Sequence, residues 1–439
     1  MPRTVRDPPC PERRSGDVHL ARAVRAGLSG RDGVARGGRI WAMGRNPGRK
    51  RWLMLGLGVN AHTSVTLGLA GLPVVMPDIE RHFAVPLPVA GLIGNAPAIG
   101  ILFALVAWGA LADRRGERLV LGVGVSLAAV LLAAAALVPW TWAVIVLLAL
   151  AGAAGAAAVV GGGRIVLRWF APHERGVAMG LRQVSYTLGM AVAAFLLPPV
   201  AGAYGIPGVL FVCAGVALVA AVLAVLFLAD PPHSLEPAGT VAGGSPYRQR
   251  ALWRVHGTSA LQAVPQVVVG TYGVTCLVRV YGWDAVAAGQ LFGAAAIAGA
   301  VVRIAVGRWS DRTGLRMRPL RLITVMTVAV LVSLVAGQLA GAWFGPVLIA
   351  VASVITVAGN GLAYLSAGEL AGPGWAGRVL GTHNSIQNTV ALVAVPVAGV
   401  VITQVGFWAG FAVGLACTIA SLPVIPARGE VSAREEKRP

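Results

Sequence analysis

Twelve apolar runs follow one another along the chain, at 52–76, 87–111, 119–138, 143–167, 177–200, 207–229, 253–278, 284–306, 320–341, 345–367, 379–403 and 406–426. Each is close to the ~20 residues that a helix needs to cross a hydrocarbon core about 30 Å thick. Lipid offers no partners for backbone N–H and C=O groups, so a single spanning run has to satisfy them within itself, as a helix. The runs therefore confine the chain to an all-α membrane protein with twelve transmembrane helices. Composition agrees, since 12% of the residues are charged and 56% are hydrophobic, against about 25% charged in soluble domains.

The formal net charge of +19 raises the question of a nucleic-acid partner, and the placement of the basic residues answers it. With residue 51 on the cytoplasmic side, Arg81 and Arg279 are the only basic residues in outward loops. Lys and Arg concentrated in inward loops are the positive-inside pattern of a bilayer protein. It predicts both termini in the cytoplasm, a multi-pass protein of the plasma membrane, and no nucleic acid. Trp52, Trp140, Trp253, Trp343 and Trp408 sit at run ends, where an interfacial aromatic belt belongs. Cys10, Cys213, Cys276 and Cys417 lack metal-ligand spacing and read as small apolar side chains. Lys50 and Lys437 are each followed by Arg, so no phosphate-binding loop is present. No polar stretch is long enough for a catalytic domain, and neither an enzyme nor a cofactor is expected.

Residues 230–252 are the longest internal polar stretch, rich in Pro, Gly and Ser, and read as a linker. The expected organisation is a basic disordered tail over 1–50, a six-helix bundle over 51–229, the linker, a second bundle over 253–427 and a tail over 428–439. The first tail has an alternative reading as an over-extended start, with Met43 or Met54 the true one. One short loop pattern occurs in both halves. Gly109, Asp113, Arg114, Gly116 and Arg118 recur at the same spacing as Gly307, Asp311, Arg312, Gly314 and Arg316, which signals an internal duplication. Polar residues also sort by run. The third and sixth carry almost none, whereas the first holds Asn60, His62 and Thr63, the seventh His256, Gln262 and Gln266, the tenth Asn360 and Tyr364, and the eleventh His383, Asn384, Gln387 and Asn388. Lipid penalises such groups, so these helices are expected to face protein or water.

On the paired loop and this sorting, the chain over about 50–427 resembles a major facilitator superfamily transporter. The resemblance implies two pseudo-symmetric six-helix bundles around a central cavity, alternating access to a small-molecule substrate, and a gating role for the paired loops. The stretch RWFAPHERGVAMGLRQ, from Arg168 to Gln183, resembles the junction of the fourth and fifth helices in cyanate and nitrate/nitrite type anion carriers. Nitrate carriers place Arg in the second and eighth helices. Here the second offers Asn95, and Arg303 near the inner end of the eighth reads as part of the gate.

Asp113, an anion at the membrane edge, is expected to pair with Arg114 or Arg118 or to face a helix N-terminus, whose partial positive charge favours it. Arg182 lies six residues beyond Gly176, roughly 9 Å at 1.5 Å per residue, a depth at which a charge needs a wet cavity or a partner. Aligning Gly180 with Gly381 sets Arg182 opposite His383, Gln183 opposite Asn384 and Tyr186 opposite Gln387. A guanidinium beside amides suits an oxyanion, so the candidate binding residues are Arg182, Gln183, Tyr186, His383, Asn384, Gln387, Asn60, Gln266 and Asn360. The competing reading pairs Arg182 with Glu369 as a gate. His62, about mid-membrane, is the candidate for a coupling proton, or else a neutral hydrogen-bonding group. A monomeric carrier of a small anion is the first expectation and a proton-coupled exporter of lipophilic compounds the second. A transporter-like receptor that moves nothing is the third.

Overall fold

The computed structural model describes residues 47–229, 245–372 and 374–426. Of the expected tails over 1–50 and 428–439 and the expected linker over 230–252, residues 1–46, 428–439 and 230–244 lie outside the described residues, as do Cys10 and Met43. By contacts the chain divides into Met1–Pro47 and Gly48–Pro439. The helices, which apart from Pro47 belong to the second of these units, are α1 (Pro47–Val65), α2 (Met76–Phe83), α3 (Leu87–Arg115), α4 (Glu117–Leu137), α5 (Thr141–Trp169), α6 (Arg175–Phe227), α7 (Arg250–Tyr281), α8 (Ala285–Thr313), α9 (Met317–Leu339), α10 (Gly345–Ala358), α11 (Asn360–Ala371), α12 (Ala376–Val405) and α13 (Phe407–Val424). No strand occurs among the described residues, and 11 stretches are long and apolar enough to cross a membrane.

Four expected runs are bent or joined in ways that local chemistry explains. After α1 the chain loosens into a π turn over Thr66–Ala70 and tightens into a 3₁₀ turn over Leu72–Val75, where Pro73 withholds a backbone donor. The tenth run breaks at Gly359 into α10 and α11. The fifth and sixth runs fall together in the 53 residues of α6, two helices that meet at a kink; end to end they would measure roughly 80 Å at 1.5 Å per residue. That is more than twice a hydrocarbon core. The interruption is Gly205, at φ 65° and ψ −169° and followed by Pro207, in a region of backbone space that is nearly glycine's alone. Gly205→Ala is expected to cost about 1–3 kcal/mol and to lower the unfolding temperature. Gly202→Ala, where an added Cβ meets open space, is the matched control and should not.

Apolar burial sorts the helices into two bundles. One core joins Met54, Leu72, Leu121, Leu148, Leu197 and Leu210 from the first six helices, and another joins Val268, Leu277, Leu331, Ile349 and Phe411 from α7 to α13. The bundles meet where α3 lies along α12 and α6 along α8. At one end a smaller cluster spans both, with Leu55, Val166 and Met179 against Tyr364, Leu365 and Leu380. Large apolar side chains on α4 (Val123, Val130), the second part of α6 (Phe211, Val219) and α9 (Val325, Val332) stand exposed, as faces that lipid would cover.

Candidate functional site

The two repeated loops lie at the end of the bundles plugged by that shared apolar cluster, the motif end. Each supplies one carboxylate to a helix of the other bundle. Asp113, on α3, accepts from the backbone N–H of Gly377 at 2.7 Å and of Arg378 at 3.1 Å, in the first turn of α12. Asp311, on α8, accepts from Gly176 at 2.8 Å and Val177 at 2.9 Å, in the first turn of α6. A helix start leaves N–H groups without intrahelical partners, and neither Trp375 nor Glu174, the residues preceding the two helices, caps its own helix by a side chain. The opposite bundle supplies the cap, with dipole and charge in the same favourable sense. Close approach is what allows it. A Cβ on Gly109 would collide with the carbonyl of Gly377, and one on Gly307 with that of Gly176.

Behind each aspartate the charges alternate through four residues. Asp113 meets Arg164 at 3.4 Å, Arg164 meets Glu117 at 3.3 Å, and Glu117 meets Arg168 at 3.2 Å. Asp311 meets Arg316 at 2.7 Å, Arg316 meets Glu369 at 3.2 Å, and Glu369 meets Arg175 at 3.7 Å. Both chains run acid, Arg, Glu, Arg and balance to zero. The carriers are exchanged, because the first takes its inner Arg from α5 and its Glu from α4, whereas the second takes its Glu from α11 and its Arg from the start of α9.

These contacts correct two expectations. Asp113 faces a helix start, one of the settings expected for it, but its ion pair is with Arg164 rather than with Arg114 or Arg118, and Arg118 instead donates to the carbonyl of Val225 at 3.0 Å. Glu369 is occupied by Arg316 and Arg175, so the gate pair of Arg182 with Glu369 does not form. Arg114 and Arg312 are exposed, while Gly116 and Gly314 take the positive φ values of 83° and 66° that end α3 and α8. Arg303 donates from α8 to Thr187 of α6 at 3.2 Å, across the bundle boundary.

Arg182 is 2% exposed. Its guanidinium donates to the carbonyl of Val159 and to Gln183 Oε1 at 3.1 Å, and lies 4.8 Å from the ring centre of Tyr364. Its Nε is buried without a hydrogen-bond partner, and no carboxylate stands within 4.0 Å of it among the described residues. Asn384 donates to the Tyr364 hydroxyl at 3.1 Å, and the His383 ring stands 5.6 Å from that of Tyr364. The structure thus gathers Arg182, His383 and Asn384 around Tyr364, with Gln183 bonded to Arg182; the depth alignment of α6 with α12 did not single out Tyr364. His62 bonds Ser185 through Nδ1 at 2.6 Å, and Ser185 donates to the carbonyl of Arg182 at 2.5 Å, so His62 is tied to the same helical turn.

The remaining candidates make other contacts. Asn360 donates to Gln266 at 2.7 Å and Gln387 to Ser259 at 2.5 Å, both within the second bundle. Asn60 and Tyr186 are exposed.

The sequence matches the profile of the Major Facilitator Superfamily over residues 58–396. It is 38% identical over 380 residues to an uncharacterized MFS-type transporter of Mycobacterium tuberculosis, covering 86% of this chain and 85% of that one. A shorter match, 31% identical over 124 residues, covers 27% of the chain and 23% of a probable chloroplastic anion transporter of Arabidopsis thaliana. In fold it superposes on the E. coli fucose:proton symporter with a TM-score of 0.68 at 16% identity, covering 87% of this chain and 98% of that one. Paired loops capping opposite bundles, a profile match over most of the chain and a relative of nearly the same extent agree, and the chain belongs to the Major Facilitator Superfamily of membrane transporters.

Proposed function

We propose that this transporter carries a small organic or inorganic anion by alternating access, with twelve crossings, both termini in the cytoplasm of a plasma-membrane protein and Arg182 as the principal ligand. The carrying observation is a buried guanidinium that has no counter-ion among the described residues. A charge taken out of water is costly unless it is paired and hydrogen-bonded, and Arg182 has a carbonyl, an amide and an aromatic face in place of a carboxylate. An anionic oxygen would supply the missing charge, and Gln183, bonded to Arg182 through Oε1, has its amide N–H groups left to donate, whereas those of Asn384 are spent on Tyr364 and Leu380. The name of the Arabidopsis relative points the same way. The four helix-start hydrogen bonds of the motif end suit a gate. A capping interaction is worth about 0.5–2 kcal/mol, so the joints together are within reach of what ligand binding can offset.

The test is thermal unfolding of the purified protein against small carboxylates, inorganic oxyanions and lipophilic cations, beside Arg182→Ala and Arg182→Lys. A ligand at 100 times its dissociation constant stabilises the form it binds by about 2.7 kcal/mol. An anion should raise the unfolding temperature of the wild type, fail in the alanine variant and act weakly with lysine, which keeps the charge but loses the planar fork. Equal stabilisation of the alanine variant, or stabilisation of both forms by lipophilic cations alone, would move the reading to an exporter.

A further inference from the structure

Two histidines of the second bundle stand against each other beside Tyr364. His256, on α7, and His383, on α12, meet Nδ1 to Nδ1 at 2.9 Å with ring centres 5.1 Å apart, and each is 1% exposed. Both Nε2 atoms are buried without hydrogen-bond partners. Bonding rules fix how a neutral pair shares its protons. One Nδ1–H donates and the other Nδ1 accepts, so the donating ring has a bare Nε2 and the accepting ring carries its hydrogen on Nε2. A further proton can bind the bare Nε2 without breaking the bond between the rings. The pair then holds one positive charge.

The surroundings decide what that charge does. Among the described residues no carboxylate is within ion-pair distance of either ring: Glu369 of α11 is held by Arg316 and Arg175, and Asp113 of α3 by Arg164. Arg254, two residues before His256 on α7, donates to carbonyls at the end of α13, including that of Val424 at 3.1 Å. Arg303 of α8 is directed at Thr187 and Val357. On the remaining sides Trp253 stands 5.7 Å from His256, and Tyr247 bonds Thr382, the neighbour of His383, at 2.9 Å. The charged group nearest in the contact network is a cation. Tyr364 touches His383 and also carries Arg182, which belongs to the first bundle, whereas Tyr364 and both histidines belong to the second.

We propose that the His256–His383 pair is a proton-binding site, and that its protonation sets a second positive charge against Arg182 and opens the motif end. The pair is distinct from His62, which is bonded to Ser185 on the first bundle. The proposal rests on the two-bundle transporter reading but not on the anion, so the ligand screen can fail while it stands.

The proton is its own probe. Spin labels at Arg115, the last residue of α3, and Arg318, in the first turn of α9, both exposed, report the separation of the bundles by electron-electron double resonance in protein stripped of native cysteines. Lowering the pH from about 8 to about 5, the span in which imidazole commonly changes charge, should shift the wild type towards longer distances. His256→Gln and His383→Gln should each abolish the shift, and His62→Gln should retain it. Absence of a shift in the wild type overturns the proposal without any variant. So does a shift that survives in both pair variants, or one that is lost in His62→Gln and kept in the other two.

Discussion

Gly109→Val is expected to prevent closure of the motif end altogether. The α3–α12 contact is backbone to backbone, and a Cβ at position 109 would occupy the space of the Gly377 carbonyl while one at 377 would meet that of Gly109. Neither helix can yield by rotating a side chain, because the obstacle is main chain. Gly307→Val should act alike at the α6–α8 contact, where the carbonyl of Gly176 stands in the way. Labels at Arg115 and Arg318 should report long distances at every pH in both variants. Folding should survive, since each bundle keeps its own apolar core. A wild-type short distance in either variant would show that the glycines do not set the contact.

Arg316→Met is expected to be among the most destabilising single substitutions at the motif end. Arg316 is 0% exposed and bonds Asp311 at 2.7 Å, Glu369 at 3.2 Å, Ser310 at 3.1 Å and the carbonyl of Pro172 at 2.5 Å. Its removal leaves two partly enclosed carboxylates short of a counter-charge, a situation that costs about 3–5 kcal/mol when one partner of a buried pair is lost. Arg164→Met is the comparison. Arg164 is nearly as enclosed, at 3% exposure, but its ion pairs are longer, at 3.3 and 3.4 Å, and its Nε and Nη1 make no hydrogen bond. Thermal unfolding in detergent should show a clearly larger drop for Arg316→Met. The reverse order would refute this ranking of the two charge chains.

Much of the fold was legible because lipid narrows the choices. Apolar length located the helices, and the repeated loop showed where the two halves correspond. The bends were less readable. Gly205 and Gly359 are two among 58 glycines, and nothing in the one-dimensional pattern separates a glycine that bends a helix from one that lets two helices touch. The depth alignment put Arg182 and His383 at one level, but depth says nothing of azimuth. The Tyr364 ring that both contact comes from α11, whose own polar pattern had no register with α6. The charge chains were hidden for a different reason. The repeat sets Arg316 opposite Arg118, which bonds a carbonyl instead, while the matching places of the first chain are filled by Arg164 of α5 and Glu117 of α4, so the two chains share an order of charges but not the positions that carry it.

The two joints of the motif end are alike in their caps and unlike in what else crosses with them. At Asp113 the charge chain stays within the first bundle, so parting α3 from α12 there exposes two amides and leaves every ion pair of that chain whole. At Asp311 the chain runs across, through Arg175 to Glu369 and from Arg316 to Pro172, so parting α6 from α8 also tears an ion pair and a charged hydrogen bond. Such a seam unzips from its weaker side. The first widening should admit water beside α12, on the flank of the histidine pair, while the α6–α8 edge still serves as the pivot.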